Sequence, residues 1–409
     1  MQNSLTINQE AQISSKDRLI DATLRLWEEV GSGSISVRML AQAADVRVSS
    51  IYHHFGSLER LSAIAQDHAL NLAARWRERH LLDLKEARLH ADAFGPIFAA
   101  LIDDWAHDHR RLAFAWREGQ QLALRDPQFR SGAARWNGFW LDFWEELSGH
   151  FGLAGTGALT ASLFDSESFL HMIRWRRAID RAGLEELARG WAAWLGGRRA
   201  PAGPVRDFAR AEALREFPAL PERDETSAHI AEAAAYIVSQ KGAASMTHRA
   251  VAAQSGLTLG IVSHKFRTSA ELMRAAFEQL YMRNVSPAGP TIESATGDED
   301  RWSLHGLVRM MEASVANAGP EELTLVVARD PSFRHFAAQL RYLRGRTSGR
   351  HLQAILGQAQ PATSLEAAIF SGFLAGQLRT QLTVPQEDFS GRIHKELERL
   401  LGRIGALSP

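Results

Sequence analysis

The chain contains no cysteine in its 409 residues. Disulfides, thiolate metal sites and cysteine nucleophiles are therefore excluded, and we expect a reducing, cytoplasmic setting. No apolar run approaches the roughly 20 residues that a membrane-spanning helix needs, and the first residues lack the basic start and apolar stretch of a secretion signal. Basic and acidic residues balance at 47 each. Any binding of nucleic acid must therefore come from local basic surfaces rather than from net charge.

The alternation of apolar and polar residues that is typical of β-strands is also scarce. Apolar residues instead recur at three- and four-residue spacing along almost the whole chain, as in amphipathic helices. One face of the first predicted helix shows this pattern, with Leu19, Ile20, Thr23, Leu26, Trp27 and Val30. The sequence therefore predicts an all-α fold.

A large part of the chain occurs twice. Residues 15–61 align without a gap with residues 226–272 at a constant offset of 211. A second block repeats at an offset of 204, where RDPQFR at 125–130 recurs as RDPSFR at 329–334. Because a repeat of this length points to duplicated structural units, the simplest account is the fusion of two copies of one helical protein.

The repeat divides the chain into five predicted segments. They are a first helix-turn-helix domain, a first larger helical domain, a linker, a second helix-turn-helix domain and a second larger helical domain, at 15–61, 62–197, 198–225, 226–272 and 273–405. We refer to 15–197 as the first half and to 226–405 as the second half. Proline, glycine and acidic residues predict a further loop at 287–300.

The last two helices of each half are predicted at corresponding places in the repeat. They lie near 161–196 and 365–404, and the second pair carries Gly372 and Gly376 at four-residue spacing, which permits close approach of another helix. If the halves pair internally, these segments form a four-helix bundle within one chain. The sequence therefore predicts an intramolecular pseudo-dimer.

Two short helices joined by a tight turn are predicted at the same place in both copies. Ser36 caps the first helix of the first copy, while Thr247 and Thr258 cap both helices of the second. The second helix of such a pair enters the major groove of DNA, where its polar residues reach base edges and phosphates. The predicted DNA-binding residues are Ser36, Arg38, Arg47, Val48, Ser49, Ser50, Tyr52, His53, His54, Thr247, Arg249, Thr258, Leu259, Gly260, Ser263, His264 and Lys265.

The runs AQAADVRVSSIYHHFGSLERL and AAQSGLTLGIVSHKFRTSAEL resemble the DNA-binding signature of the TetR family. The resemblance implies an all-α regulator with a three-helix DNA-binding domain and a larger helical domain that binds a ligand and dimerises. It implies contacts to phosphates or bases from Ser36, Ser50, Tyr52 and His54 in the first copy, and from Thr247, Ile261, Ser263 and Lys265 in the second. A lysine usual in the family is replaced by Leu58 and Ser269.

Aromatic residues are distributed unevenly between the halves. Ten of the eleven tryptophans precede residue 195. A helix this aromatic either lines an apolar ligand cavity or fills a core. The candidate pocket residues are Trp105, Trp116, Arg117, Gln121, Trp136, Trp140 and Trp144. If only one half senses a ligand, we expect it to be the first.

One segment concentrates residue types that bind metals: Asp103, Asp104, His107, Asp108 and His109. A solvated helix face explains the same residues, so we expect neither a metal nor a cofactor. The sequence contains no Walker, dinucleotide-binding or nucleophile-elbow motif. An enzyme is therefore not expected.

Together these features predict a transcription regulator, most simply a repressor, that binds double-stranded DNA as a single-chain pseudo-dimer. Because the two reading helices differ, we expect an operator with unlike half-sites, and a small apolar or aromatic effector that controls binding. The alternative is a helical ligand- or protein-binding adaptor that has lost DNA binding in one or both copies. A monomer in solution and a further dimer both remain open.

Overall fold

The computed structural model describes residues 14–87, 89–285, 302–314, 319–357, 361–383 and 387–405. Every regular element within these ranges is helical, which confirms the all-α prediction. None of the described helices combines the length and the apolar character needed to cross a membrane. The loop predicted at 287–300 lies outside the described residues.

The first half and the linker form ten α-helices. They are α1 (Ser15–Glu29), α2 (Val37–Ala43), α3 (Val48–Phe55), α4 (Leu58–Ala87), α5 (Phe94–Asp103), α6 (Arg110–Arg125), α7 (Arg130–His150), α8 (Gly157–His171), α9 (Arg177–Leu195) and α10 (Pro204–Arg215). A π-helical turn at Asp104–Asp108 separates α5 from α6. Helices α1 to α3 form the first helix-turn-helix bundle, which packs on α4 and α6.

The described residues of the second half form ten further helices. They are α11 (Glu225–Lys241), α12 (His248–Ser255), α13 (Leu259–Lys265), α14 (Ser269–Val285), α15 (Leu304–Ser314), α16 (Gly319–Arg329), α17 (Ala337–Tyr342), α18 (Arg346–Leu356), α19 (Ser364–Thr383) and α20 (Phe389–Arg403). Helix α11 packs on α14 and α16 as α1 packs on α4 and α6. The counterpart of α7 is broken into α17 and α18 at Gly345, whose φ of +90° is a conformation that glycine adopts without strain.

The linker contains a helix, α10, in the region where the sequence leaves a short helix between Phe208 and Phe217 open. Helix α10 starts at Pro204, whose fixed φ suits the first helical position. It packs against α9, α17 and α19, so it contacts both halves. Arg206 on α10 donates a hydrogen bond of 3.2 Å from Nε to the carbonyl oxygen of Ser364.

The two halves meet most closely where α8 runs along α19, and α9 also contacts α19 and α20. A Cβ atom at Gly376 would collide with the backbone of Ser162, and one at Gly372 would lie 2.8 Å from Leu163 Cδ1. Since a close-packed contact has no room for an added methyl group, these two glycines allow the approach of α19 to α8.

A buried charge network crosses the same contact. Asp165 on α8 accepts hydrogen bonds from Arg117 on α6 and from Arg379 Nη1 on α19, the latter at 2.6 Å. Burial opposes charge on Asp165, but Arg379 and Arg117 together hold its pKa below the ordinary value. Asp165 is therefore a carboxylate that joins an arginine of each half.

Candidate nucleic-acid interface

The first helix-turn-helix is held by local capping and two buried anchors. Ser36 Oγ accepts the backbone N–H of Met39 at 3.2 Å at the start of α2. Asp45 occupies the turn with a φ of +51°, a left-handed conformation that a short polar residue tolerates. Ile51 and Phe55 are buried and fix α3 on the bundle.

The second helix-turn-helix reproduces this geometry. Thr247 Oγ1 caps α12 by accepting from Ala250 N at 3.1 Å, and Thr258 Oγ1 caps α13 by accepting from Ile261 N at 3.3 Å. Gly256, which aligns with Asp45, has a φ of +70°. Both turns therefore use one left-handed residue at the same aligned position.

The predicted DNA-binding residues lie on the outer faces of the two domains. Ser50 is half-buried. The others are exposed: Ser36, Arg38, Arg47, Val48, Ser49, Tyr52, His53, His54, Thr247, Arg249, Thr258, Leu259, Gly260, Ser263, His264 and Lys265. Arg47 stands at the start of α3 without a capping bond from its side chain. The placement leaves these side chains accessible to DNA.

The two reading helices, α3 and α13, present different chemistry. On α3, Tyr52 is the largest exposed side chain, with 54% of its surface accessible. On α13, Leu259 and Ile261 are 45% and 39% exposed. A tyrosine hydroxyl suits a phosphate or a base edge, whereas aliphatic side chains suit thymine methyl groups.

Each reading helix is tied at its C-terminal end to the first helix of its own bundle. His54 Nε2 lies 2.7 Å from Ser15 Oγ, and Lys265 Nζ, at the aligned position, lies 3.1 Å from Asp224 Oδ2. Ser227 and Lys265 hold the pKa of Asp224 at about 2. Sequence analysis missed Ser15 and Asp224, because nothing in the sequence relates them to residues some forty positions away.

Replacing Asp224 by asparagine is expected to strengthen DNA binding about two- to fivefold at low salt, the range of one exposed ion pair. The change removes a carboxylate beside the phosphate-facing surface and releases Lys265, while asparagine keeps the helix cap. Fluorescence anisotropy titration with labelled duplex measures the effect. Asp142→Asn, an exposed site on α7, is the matched control, and an unchanged affinity in Asp224→Asn would contradict the expectation.

Behind the reading helices, the two helix-turn-helix domains touch each other. Gly33 and Ala244 occupy aligned positions in the short turns that follow α1 and α11. A Cβ atom at Gly33 would lie only 2.5 Å from Ala244 Cβ. Aligned residues of the two halves therefore meet, as they do at a two-fold axis.

Two reciprocal ion pairs flank this point. Arg329 Nη2 lies 2.6 Å from Glu118 Oε1, and Arg125 Nη2 lies 2.8 Å from Glu322 Oε1. The arginines align with each other at the offset of 204, and so do the glutamates. Each pair thus joins one half to the other. The sequence shows the repeated RDPxFR motif, but it does not show that the first arginine of each motif forms an ion pair with the other half.

The ion pairs also reach the ends of the first helices. Arg329 donates to the carbonyl oxygens of Trp27 and Glu28 at 3.0 and 3.1 Å. A Cβ at Gly31 would lie 3.0 Å from Arg329 Nη1, and one at the aligned Gly242 would lie 2.8 Å from Arg125 Nε. Gly31 ends α1 with a φ of +80° and a ψ of 155°, a region almost exclusive to glycine and not the left-handed helical conformation of an ordinary helix stop.

The aromatic residues proposed as a ligand pocket form a packed core. Trp105 packs edge to face on Trp140, with 4.8 Å between the ring centroids, and Trp116 stacks on Trp136, with 6.0 Å between the ring centroids. The ring centroids of Trp144 and Phe164 lie 5.0 Å apart. Of the two alternatives for these aromatic residues, this packing agrees with the core.

Part of the cluster still borders open space. Trp116 and Trp140 line a cavity of about 340 Å³ that the second half closes with Gln377 and Arg392. Arg117, suggested as an orienting group for a ligand, is instead bound to Asp165 and Ser168 and stacks on Trp116 at 3.7 Å. Gln121 is buried. A ligand in this cavity stays a prediction.

Asp108 is exposed, as a solvated face predicts, but Asp103 and His107 are largely buried, so that interpretation does not hold for these two. Asp103 and His107 lie within 4.8 Å of His171, and these side chains are only 13%, 9% and 2% exposed. Arg341 donates to His171 Nδ1 at 2.9 Å, so Nε2 carries the proton and donates to Asp103 at 2.8 Å. Arg177 also binds Asp103. The group therefore joins the halves by hydrogen bonds, and His171 has no free lone pair for a metal.

These histidines predict acid lability. Burial and Arg341 lower the pKa of His171 from 6.5 to about 4, and burial and His171 lower that of His107 to about 3. The unfolded chain therefore binds more protons below about pH 6.5, and the folded state loses stability as the pH falls from there towards 4. The loss is on the order of 2 kcal/mol for His171 at pH 5.

Urea unfolding at pH 7 and pH 5 measures this loss. His171→Gln is the informative variant, because glutamine keeps one donor for Asp103 and one acceptor for Arg341 but does not titrate. We expect a smaller drop in the free energy of unfolding between the two pH values in this variant. An equal drop in both proteins would contradict the assignment.

Comparison with known proteins bears on the first helix-turn-helix. Residues 19–62 match the family model for bacterial regulatory proteins of the tetR family. The match supports a tetR-family transcriptional regulator with a DNA-binding domain at α1 to α3. No curated protein matches the chain. Since the tetR match covers only the first domain, the second rests on the internal repeat and on its geometry.

Proposed function

We propose that the chain is a repressor that binds one operator with both of its helix-turn-helix domains. The observation that carries this proposal is the reciprocal contact behind the reading helices, where Arg125 pairs with Glu322 and Arg329 with Glu118. Two-fold related contacts of this kind hold two reading heads at a defined separation, which is what binding to successive major grooves requires. One chain thus does the work of a dimer.

The operator in this proposal has unlike half-sites. Tyr52 and His54 on α3 stand where Ser263 and Lys265 stand on α13, and α13 has the exposed Ile261 where α3 has Ser50. A helix that presents different donors and apolar groups selects a different base sequence. A palindrome would leave one of the two helices mismatched.

We further propose that a small apolar or aromatic effector controls DNA binding. The cavity beside Trp116 and Trp140 has about 340 Å³, within the range of about 300–1,000 Å³ for small-molecule sites. Its walls come from α7 and α8 of the first half and from α19 and α20 of the second. A ligand that prefers one arrangement of these helices shifts the spacing of the reading helices.

Selection of bound sequences from a random duplex pool tests the DNA-binding proposal. We expect an asymmetric site whose two halves are centred about 10 base pairs apart. Recovery of a symmetric site would contradict the unlike half-sites. Absence of any salt-dependent duplex binding would favour the adaptor function instead, and light scattering determines whether one chain or two occupies the operator.

A further inference from the structure

A second cavity, of about 500 Å³, lies between the halves directly behind the helix-turn-helix domains. One wall is the turn Gly31–Ser34 of the first half. The opposite wall is apolar and belongs to the second half, with Met273 and Phe277 on α14, Leu325 on α16 and Phe333 just after it. We call this space the junction cavity.

The apolar wall is only partly matched in the first half, where Phe129 aligns with Phe333. Phe277 aligns with Gln66, and Leu325 aligns with Gln121. Gln66 is already engaged, because its Nε2 donates to the Ala115 carbonyl oxygen at 2.8 Å and its Oε1 accepts from Trp136 Nε1 at 2.9 Å. The space beside Gln66 measures only about 40 Å³. The junction cavity is therefore a feature of the second half and not a gap that the shared fold leaves in both.

The charges around the junction cavity are unbalanced. Four carboxylates and two guanidinium groups border it: Glu29, Glu118, Glu322, Asp330, Arg125 and Arg329. Both arginines are paired with Glu118 and Glu322. Among the described residues, Glu29 and Asp330 face no cationic partner, although Asp330 accepts the backbone N–H of Ser332 at 2.8 Å. These two exposed carboxylates give the rim of the junction cavity a net negative charge.

We propose that the junction cavity binds a small organic cation with an apolar body. The apolar part packs on Met273, Val326 and Phe333, with Phe277 and Leu325 behind them, and the cationic group lies near Glu29 and Asp330. A neutral molecule of the same shape leaves both carboxylates unpaired, and an anion is repelled by them. Charge and shape therefore select the same class of ligand.

The position of the cavity gives the ligand a means to act on DNA binding. Its rim contains both reciprocal ion pairs, and its walls include the turns at Gly33 and Ala244 where the helix-turn-helix domains touch. A bound molecule that separates these turns changes the distance between the reading helices. This regulatory step rests on the proposed repressor function, whereas the binding step does not.

Isothermal titration of the full chain with three matched probes tests the binding step. Phenylbutylamine is the cation, phenylbutanol the neutral analogue and phenylpentanoate the anion. We expect saturable binding in the order amine, alcohol, carboxylate, with Glu29→Gln weakening only the amine, by about two- to fivefold. Glu78→Gln, an exposed site on α4, is the charge control.

The apolar wall is tested with a matched pair at aligned positions. Phe333→Leu is expected to weaken amine and alcohol together by more than about fivefold, because it removes apolar contact area, whereas Phe129→Leu in the first half leaves both unchanged. Thermal unfolding checks that both variants fold. No saturable binding, a carboxylate that binds as tightly as the amine, or equal effects of Phe333→Leu and Phe129→Leu would each overturn the site.

Titration of operator duplex with and without phenylbutylamine tests the regulatory step. We expect the amine to weaken DNA binding in the unaltered chain and to have less effect in Phe333→Leu. If the amine binds but DNA affinity stays constant, the regulatory step is overturned and the site stands. If the chain binds no duplex at all, the repressor function fails, while the probe titrations still decide the site.

Discussion

Replacing Tyr52 by alanine is expected to weaken operator binding roughly tenfold to hundredfold, the range for losing one specific contact to DNA. Tyr52 is the most exposed aromatic side chain of the first reading helix, and Ile51 and Phe55 rather than Tyr52 anchor that helix on the bundle. The loss should therefore come from DNA contacts and not from unfolding. Anisotropy titration against the selected operator measures it, with circular dichroism to confirm the fold.

The position of the contact is tested with two altered operators, each with one half-site scrambled. We expect Tyr52→Ala to lose its effect only when its own half-site is scrambled, because the contact to be lost is then already absent. Ser263→Ala is the matched change at the aligned position of α13, where a shorter side chain predicts a smaller effect. An unchanged affinity in Tyr52→Ala would contradict the assignment of α3 as a reading helix.

Replacing Asp165 by asparagine is expected to lower the free energy of unfolding by about 3–5 kcal/mol, the cost of removing one partner from a buried ion pair. Arg117 and Arg379 are 1% and 5% exposed, and both rely on this carboxylate. Without it, two buried guanidinium groups from opposite halves face each other, with Glu321 as a remaining acid at 3.6 Å from Arg379. Denaturant unfolding followed by tryptophan fluorescence reports the loss.

Asp67→Asn is the control for this prediction. Asp67 pairs with Arg135, but about half of each side chain is exposed. Exposed pairs contribute about 0–1 kcal/mol, so this variant should unfold almost as the unaltered chain does. Similar small losses in both variants would mean that Asp165 does not hold the halves together.

Much of the fold was predictable because an amphipathic helix and its caps are encoded by residue types and spacing within one short segment. The caps at Ser36, Thr247 and Thr258 follow from the residue types and their spacing, and the structure places them as expected. The helix inside the linker was less clear, since Pro204 both ends an extended segment and begins α10. Local propensity does not distinguish a connection from a helix that packs on its neighbours.

The candidate sites were harder to predict than the fold. The many aromatic residues of the first half suggested a ligand cavity there, but most of these rings pack directly against one another. The larger junction cavity lies against the second half, where Phe277 and Leu325 replace glutamines. A cavity is the space that side chains from distant segments fail to fill, and composition alone does not reveal it.

The sequence by itself determined that the chain is helical, that the segment 15–61 recurs at 226–272 and that the two predicted reading helices differ in their exposed residues. These properties depend on residue type and on spacing within one segment. Only the tertiary structure decided that Arg125 and Arg329 cross between the halves, that His171 joins Asp103, and that a cavity opens behind the DNA-binding domains. Each of these depends on residues far apart in the chain, whose distance is set by packing and leaves no local pattern.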